Sequence, residues 1–240
     1  MVTEIAGLGT AEEMWNPRLD DLVPIELDLS DAGSPIVVAP HPDDEILGVG
    51  GLLARLGRGE VVAVTDGEAS HPRSTVYRQT ELAIIRRRET AESLARLGLP
   101  QAAIHRLGQP DGCIDEDELT ADLVRRLSPG RWCLATWRED GHPDHEAVGR
   151  AAARACEKTG ARLVEYPVWM WHWSHPGDPR VAWDRARRVT LSEETLASKA
   201  AAIASFRSQV EPIGPAPADA AILPPHVVVR FTRPYEVVFA

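Results

Sequence analysis

A His-Pro-Asp motif that follows a short apolar run occurs twice in this chain, and it is the strongest constraint on the fold. The first copy, His41-Pro42-Asp43-Asp44, follows residues 36–39. The second copy, His142-Pro143-Asp144-His145, follows residues 132–136. Each copy leads into an apolar helical pattern, and repeats of strand, polar turn and helix are typical of parallel βαβ units. The sequence therefore predicts an α/β fold with a Rossmann-like, mostly parallel sheet flanked by helices.

The rest of the chain fits one domain of this kind. A chain of 240 residues is long enough for one substantial core. We expect this domain to span residues 34–240, with residues 1–33 forming an acidic N-terminal extension packed on it. The patterns predict strands at 36–39, 61–65, 104–107, 132–136, 162–168, 227–231 and 236–239, and helices at 44–56, 77–97, 118–127, 143–158 and 193–206.

Composition excludes several classes of partner. The net charge of -10 argues against a nucleic-acid backbone or an anionic membrane as the main partner. Three cysteines without a CxxC spacing predict free thiols in a reducing compartment. No apolar run reaches the roughly 18 residues of a membrane span, and the N-terminus lacks a signal-peptide pattern. These features predict a cytoplasmic protein and leave a homo-oligomer open.

The two motifs together offer a metal site. Two strand ends of one parallel sheet can converge on one crevice, where α/β proteins bind ligands. A catalytic zinc ion takes three His or carboxylate ligands and keeps an open position for water, whose pKa falls to about 7. We interpret His41, Asp44 and His145 as the ligands of Zn²⁺, with Fe²⁺ as the alternative ion.

The neighbouring polar residues supply the remaining roles of a hydrolase. Asp43 is the candidate general base, and His142 is the candidate group that stabilises the oxyanion or protonates the leaving amine. Asp140 is a candidate partner that orients the imidazole of His142. This arrangement predicts hydrolysis of an amide or an ester. Each motif alone is also explained by a turn proline and a capped helix start.

Two other functions use the same residues. A metal-dependent phosphoesterase would recruit a second metal through Asp66 or Asp144. A non-catalytic sugar-binding module would keep the crevice and use Trp169, Trp171 and Trp173 as platforms for sugar rings. These tryptophans alternate at strand spacing, and a face packed against the core is the favoured explanation. A candidate base at Asp43 argues against a pure binder.

The motifs resemble those of the PIG-L/LmbE-like zinc-dependent N-deacetylases. The resemblance rests on the two His-Pro-Asp motifs, the turn Thr65-Asp66-Gly67-Glu68, an R-x-x-E in a helix and Ser208-Gln209. It spans about residues 36–209 and implies a Rossmann-like fold with one zinc ion. It also implies removal of acetyl groups from small molecules of the N-acetylglucosamine type. The roles implied for His41, Asp43, Asp44, His142 and His145 are those given above.

The resemblance adds candidates for substrate contacts. An arginine of the R-x-x-E helix contacts substrate in the family, and Arg86 is the best match, although Arg87 and Arg88 are adjacent. An intrahelical ion pair between Arg86 and Glu89 is the competing interpretation. Asp66 is the second candidate contact, although Asp-Gly is also common turn chemistry.

Overall fold

The computed structural model describes residues 7–240, and a seven-stranded sheet lies at its centre. The first six residues of the predicted acidic extension lie outside the described range. The strands are β1 Ile36–Ala39, β2 Glu60–Ala63, β3 Ala103–Arg106, β4 Trp132–Thr136, β5 Arg162–Tyr166, β6 Ala186–Thr190 and β7 Tyr235–Phe239. Their order is β3-β2-β1-β4-β5-β7-β6; β1 to β5 are parallel, and β7 is antiparallel to β5 and β6. The predicted α/β class with a mostly parallel sheet is confirmed.

The strand order reverses between β1 and β4, which pair directly through Ile36 with Cys133 and Val38 with Ala135. In sheets of this kind the ligand crevice lies outside the carboxyl ends of the strands at such a reversal. One His-Pro-Asp motif follows each of these two strands. The topology therefore brings the two motifs to the same crevice.

Helices cover both faces of the sheet. None of the helices in residues 7–240 is both long and apolar enough to cross a membrane. The helices are α1 Glu12–Leu22, α2 Asp44–Leu56, α3 Gln79–Arg96, α4 Glu116–Arg126, α5 Pro143–Thr159, α6 Met170–Trp173, α7 Glu193–Ile203, α8 Arg207–Val210 and α9 Pro225–Val228.

Alternating side chains of the strands build an apolar cluster on each face. In β1, Val37 belongs to the larger cluster, whereas Ile36 and Val38 belong to the smaller one, which α4 and α5 complete. Trp15 and Leu19 of α1 are fully buried in the larger cluster. The N-terminal helix thus contributes side chains to the same core as the sheet.

Helix α2, which carries the first motif, is kinked at Val49, where φ is -138° and ψ is 19°. Breaking a helix leaves backbone groups without partners, and in a core these must be satisfied by other groups. Lys199 donates to the carbonyl of Leu47 at 2.8 Å, and Glu236 accepts from the amides of Gly51 and Leu52 at 2.6 and 2.7 Å. A buried Lys199–Glu236 ion pair, 2.7 Å between Nζ and Oε1, therefore holds the kink.

The predicted strand at 227–231 and the tryptophan segment with strand spacing at 169–173 are helical in the structure. Residues 169–173 enter the short helix α6, so the alternating tryptophans do not share one face of a strand. Residues 227–231 continue from α9 into a 3-10 turn, because Pro225 at the first helical position favours a helix over the β-branched pattern that follows. Helix α1 and strand β6 were not predicted.

Candidate metal centre

The first motif presents its side chains through an unusual backbone. Pro42 keeps His41 out of the α region, and the amide of His41 donates to Asp44 Oδ2 at 3.0 Å. Asp43 has φ of 135° and is the only non-glycine residue in 7–240 with a positive φ. A side chain in this region costs of order 1–3 kcal/mol and occurs mostly where a site needs it. The backbone thus singles out Asp43 as a candidate functional residue.

The second motif has regular geometry. Pro143 occupies the first turn of α5, and His142 caps the helix because its Nδ1 accepts from the amide of Asp144 at 3.2 Å. An accepting Nδ1 leaves the proton of neutral imidazole on Nε2. Burial, with the charges of His145 and His41, lowers the pKa of His142 to about 3. His142 is therefore a neutral N–H donor.

Three side chains converge as a possible ligand set. Asp44 Oδ2 lies 3.3 Å from both His41 Nδ1 and His145 Nε2, and one ligand atom of each residue lies within 4.8 Å of the others. Burial raises the pKa of Asp44, but His145 and His41 outweigh it and bring the pKa to about 2. His145 Nε2 is buried and has no hydrogen-bond partner in the described part of the chain. A buried nitrogen of this kind beside a carboxylate fits a bound cation, and two imidazoles with one carboxylate suit zinc.

Asp140 holds one member of this set. Its Oδ2 lies 2.8 Å from His145 Nδ1, and its carboxylate accepts the amides of Val168, Trp169 and Met170 at 2.9, 2.9 and 3.0 Å. The contact places a proton on Nδ1 and leaves Nε2 of His145 free to bind a metal. The prediction that Asp140 orients His142 is wrong, because the first turn of α5 carries His145, not the capping His142, back toward Asp140.

Two carboxylates outside the predicted zinc ligand set surround the other nitrogen of His41. His41 Nε2 lies 3.1 Å from Asp144 Oδ2 and 3.3 Å from Asp111 Oδ1. Burial lowers the pKa of His41, but hydrogen bonds to Asp111, Asp144 and Asp44 outweigh it and raise the pKa well above its usual value. These carboxylates favour a positive charge beside them. The charge can be a proton on His41 or a metal cation bound by His41, Asp44 and His145. His41, Asp144 and His142 form a second group with ligand atoms within 4.8 Å.

Arg86 supports the candidate base instead of pairing along its helix. Its Nη2 lies 3.0 Å from Asp43 Oδ2 and also donates to Pro42 O at 2.6 Å, and Nη1 donates to Gly67 O at 2.8 Å. Glu89 instead accepts from the amide and hydroxyl of Ser208 at 2.8 and 2.7 Å. The intrahelical Arg86–Glu89 interpretation is wrong. Burial raises the pKa of Asp43 well above its usual value, although the charge of Arg86 opposes this shift.

The structure does not place Asp66 in the lining of the cavity. Its carboxylate pairs with Arg87 and, at 3.3 Å, with Arg106. The cavity has a volume of about 320 Å³, within the range of small-molecule sites. Its lining includes the polar residues His41, Asp43, Asp44, Ser70, Arg86, Asp111, His142, His145 and Gln209, and the apolar residues Leu47, Val168, Trp169, Ile222 and Leu223.

Fold and site together define a doubly wound α/β protein with a candidate metal centre at its topological switch point. The chain belongs to the PIG-L family: the family model, described as GlcNAc-PI de-N-acetylase, matches residues 36–156, just over half of the chain. A probable N-acetyl-alpha-D-glucosaminyl L-malate deacetylase 2 of Bacillus subtilis is 30% identical over 134 residues, which cover 50% of this chain. The match covers 59% of that relative, so the chain spans about three fifths of its length.

Solved structures agree on the fold. A conserved protein of Thermus thermophilus is 31% identical, with a TM-score of 0.55 over 73% of this chain and 79% of that one. An N,N'-diacetylchitobiose deacetylase of Pyrococcus horikoshii is 22% identical, with a TM-score of 0.59 over 82% and 79%. A 4-carboxy-2-hydroxymuconate hydratase of Pseudomonas putida is also 22% identical, with a TM-score of 0.56 over 83% of both chains. Proteins with different named reactions share this fold, so the reaction must be argued from the site.

Proposed function

We propose that this protein is a zinc-dependent N-deacetylase that removes an acetyl group from a small molecule containing an amino sugar. The observation that carries the proposal is the buried Nε2 of His145, which has no hydrogen-bond partner among residues 7–240 and lies 3.3 Å from Asp44 Oδ2 beside His41. The family description and the name of the Bacillus subtilis relative support the reaction class.

In this proposal His41, Asp44 and His145 hold the zinc ion. Zinc supplies Lewis-acid chemistry when bound, since it polarises a carbonyl and lowers the pKa of water. Asp140 keeps His145 in the tautomer that can ligate, and Asp111 with Asp144 keeps the ring of His41 in place.

Asp43 takes the proton of the attacking water. Its burial raises its pKa, and a carboxylate with a raised pKa is a stronger proton acceptor. Arg86, with Nη2 3.0 Å from Asp43 Oδ2, fixes the direction of the carboxylate. The strained backbone of Asp43 keeps this side chain in the cavity lining.

His142 acts on the other side of the reacting amide. Its Nδ1 is occupied by the amide of Asp144, so Nε2–H is the group it can offer to the substrate. A neutral N–H stabilises the oxyanion that develops when water attacks the carbonyl. His142 keeps this proton, because a neutral imidazole that lost it would become an imidazolate. The proton that Asp43 takes from water is the one that moves to the leaving nitrogen when the C–N bond breaks.

A phosphoesterase with two metals remains the alternative function. Asp66 is committed to Arg87 and Arg106, so a second ion would depend on the group of His41, His142 and Asp144. Metal counting decides between the two, because the deacetylase needs one ion per chain and the phosphoesterase needs two.

The test is acetate release from N-acetylated amino sugars by metal-stripped protein, with and without zinc. We expect acetate only after zinc is added, and acetate release slower by about 10²- to 10⁴-fold from the Asp43→Asn variant, which should still bind zinc. A parallel series with Fe²⁺ under anaerobic conditions identifies the more active ion. Absence of zinc binding, or full zinc occupancy without acetate from any substrate, contradicts the proposal.

A further inference from the structure

Four apolar residues of the cavity lining belong to the larger apolar cluster or pack against it. They are Val168, Trp169, Ile222 and Leu223, which we call the apolar wall. Val168 and Leu223 are buried, and Trp169 and Ile222 are partly buried. None of these four side chains carries a charge, so a group that touches the wall gains most from apolar contact.

Hydrogen bonds of the backbone fix this wall. The amides of Val168 and Trp169 donate to Asp140, and the amide of Leu223 donates to Gln209 O at 2.9 Å. Just before Ile222, Ala220 O lies 3.2 Å from His71 Nε2. A preformed apolar surface binds an apolar group without an ordering cost.

The guanidinium in the described lining of the cavity makes three hydrogen bonds with protein groups. Apart from its histidines, Arg86 is the single basic residue among the described residues that line it. Both hydrogens of Arg86 Nη2 are used by Pro42 and Asp43, and Nη1 donates to Gly67. Arg86 Nε is buried and has no hydrogen-bond partner among the described residues. A Cβ added at Gly67 would lie 2.0 Å from Nη1 and 2.9 Å from Nε, so the backbone of Gly67 covers that edge of the guanidinium.

Charge counting gives the same result. The carboxylates of Asp43, Asp44 and Asp111 line the cavity against the single guanidinium of Arg86. A divalent ion would bring these formal charges to zero and leave no positive surplus. Recognition of a carboxylate or phosphate normally uses unpaired Arg or Lys side chains.

We propose that the substrate of this site carries an uncharged, apolar substituent that lies against the apolar wall, in place of an anionic group such as malate or inositol phosphate. The inference rests on the proposed deacetylase function and names its substrate class. The apolar substituent is either an alkyl or aryl aglycone or a long N-acyl chain, and both offer the same surface to the wall.

The experiment compares four N-acylated glucosamine glycosides with the zinc-loaded enzyme. These are the methyl, octyl and malyl glycosides of N-acetylglucosamine and methyl N-octanoyl-glucosaminide. We expect at least about tenfold higher kcat/KM for an octyl-bearing compound than for the methyl glycoside, since two buried methylenes suffice for this ratio. The malyl glycoside should not exceed the methyl glycoside. The two octyl-bearing compounds show whether aglycone or acyl chain contacts the wall.

Calorimetry separates this inference from the proposed function. The octyl and malyl glycosides are titrated into metal-free wild-type protein, in which no turnover is needed. Tighter binding of the octyl compound without any later acetate release would contradict the deacetylase and leave the apolar wall supported. Higher kcat/KM or tighter binding for the malyl glycoside, or equal values for all compounds, overturns the inference.

Substitutions in the wall give an independent test. Ile222→Lys adds a cation to the wall, so the octyl preference should disappear and kcat/KM for the malyl glycoside should rise about tenfold. Ile222→Ala, which adds no charge, should reduce only the octyl preference. Val229→Lys is the matched control: Val229 is 41% exposed and lies outside the cavity lining, so wild-type ratios are expected. An unchanged octyl preference in both Ile222 variants contradicts the inference.

Discussion

The two His-Pro-Asp motifs follow neighbouring strands, yet their third residues have different backbones. Asp43 has φ of 135° and lies just before α2 without capping it, whereas Asp144 lies within the first turn of α5. The first residues differ as well: His41 contacts three carboxylates, and His142 caps a helix. One local sequence thus builds a strained site after β1 and a regular one after β4.

This difference separates two tasks. The strained motif turns Asp43 into the cavity, where Arg86 pairs with it. In the regular motif, Asp144 turns to the ring of His41 and so supports a candidate ligand of the other motif. We therefore expect Asp43 to take part in the reaction, and Asp144 to orient the imidazole of His41.

The largest expected effect tests this division directly. Asp43→Asn should lower kcat by about 10²- to 10⁴-fold while zinc content stays at the wild-type value, because the base is lost and the ligands remain. The matched variant Asp144→Asn should lower kcat much less when zinc is saturating. Kinetics and metal analysis of both variants provide the measurement. Equal losses in the two variants would show that the third positions share one role.

Metal affinity should show the next largest effect. Asp140→Asn removes the carboxylate that orients His145, and changes of this kind typically weaken metal binding by about 10- to 100-fold. Asp122→Asn is the control, since Asp122 is a buried aspartate of α4 that pairs with Arg125 and Arg126. Competition with a zinc chelator measures both. Similar zinc affinity in the two variants would remove Asp140 from the metal centre.

The stability of the metal-free protein should fall as the pH rises above about 6.5. The pKa of His41 is raised in the folded state, so its contribution is complete below the unfolded pKa of about 6.5 and is lost as the pH rises through the folded pKa. Zinc reverses the trend, because deprotonated His41 binds metal more tightly. Denaturant unfolding from about pH 6.5 to about pH 9 measures this.

Asp111→Asn supplies the control for that experiment. It removes one carboxylate from His41 Nε2 and should weaken the fall in stability with pH. If wild type and Asp111→Asn follow the same pH curve, Asp111 does not hold the proton of His41.

The smallest effect concerns the cap of α5. His142→Ala removes the acceptor of the Asp144 amide and should cost about 1 kcal/mol of unfolding free energy, whereas His142→Asn keeps a capping oxygen and should cost less. Both variants should lose turnover, since neither has the imidazole Nε2–H. Thermal unfolding measures the role of His142 as the cap of α5, and steady-state kinetics measures its role as an N–H donor to the substrate. Equal stability of the two variants would argue against the cap.

The main features of the sheet and the meeting of the two motifs were predictable from sequence. Apolar runs such as 36–39 and 132–136 identify buried parallel strands, and parallel strands carry their following turns to one edge. The runs at 169–173 and 227–231 were misleading, because the amides held by Asp140 and the proline at 225 outweigh local strand patterns.

Side-chain partners were harder to predict than strands. Asp111 follows β3 in a turn rich in Asp and Gly, a signal of the same kind as the two motifs, but only the fold shows that it reaches His41. The partner of Arg86 is likewise 43 residues away at Asp43, and no helical spacing indicates that contact. Pairings of this kind depend on the directions of loops, which local sequence does not determine.

The carboxylate of Asp140 ties the proposed zinc ligand His145 to the apolar wall through main-chain amides alone. The side chains of Val168 and Trp169 take no part in these bonds. Substrate preference can therefore change in evolution or by design through these side chains while the backbone frame of the metal centre persists. A substitution by proline at residues 168–170 would break this frame, because proline has no amide hydrogen to donate to Asp140. At residues 168–170 the main chain thus supports the metal centre, and the side chains are free to set substrate preference.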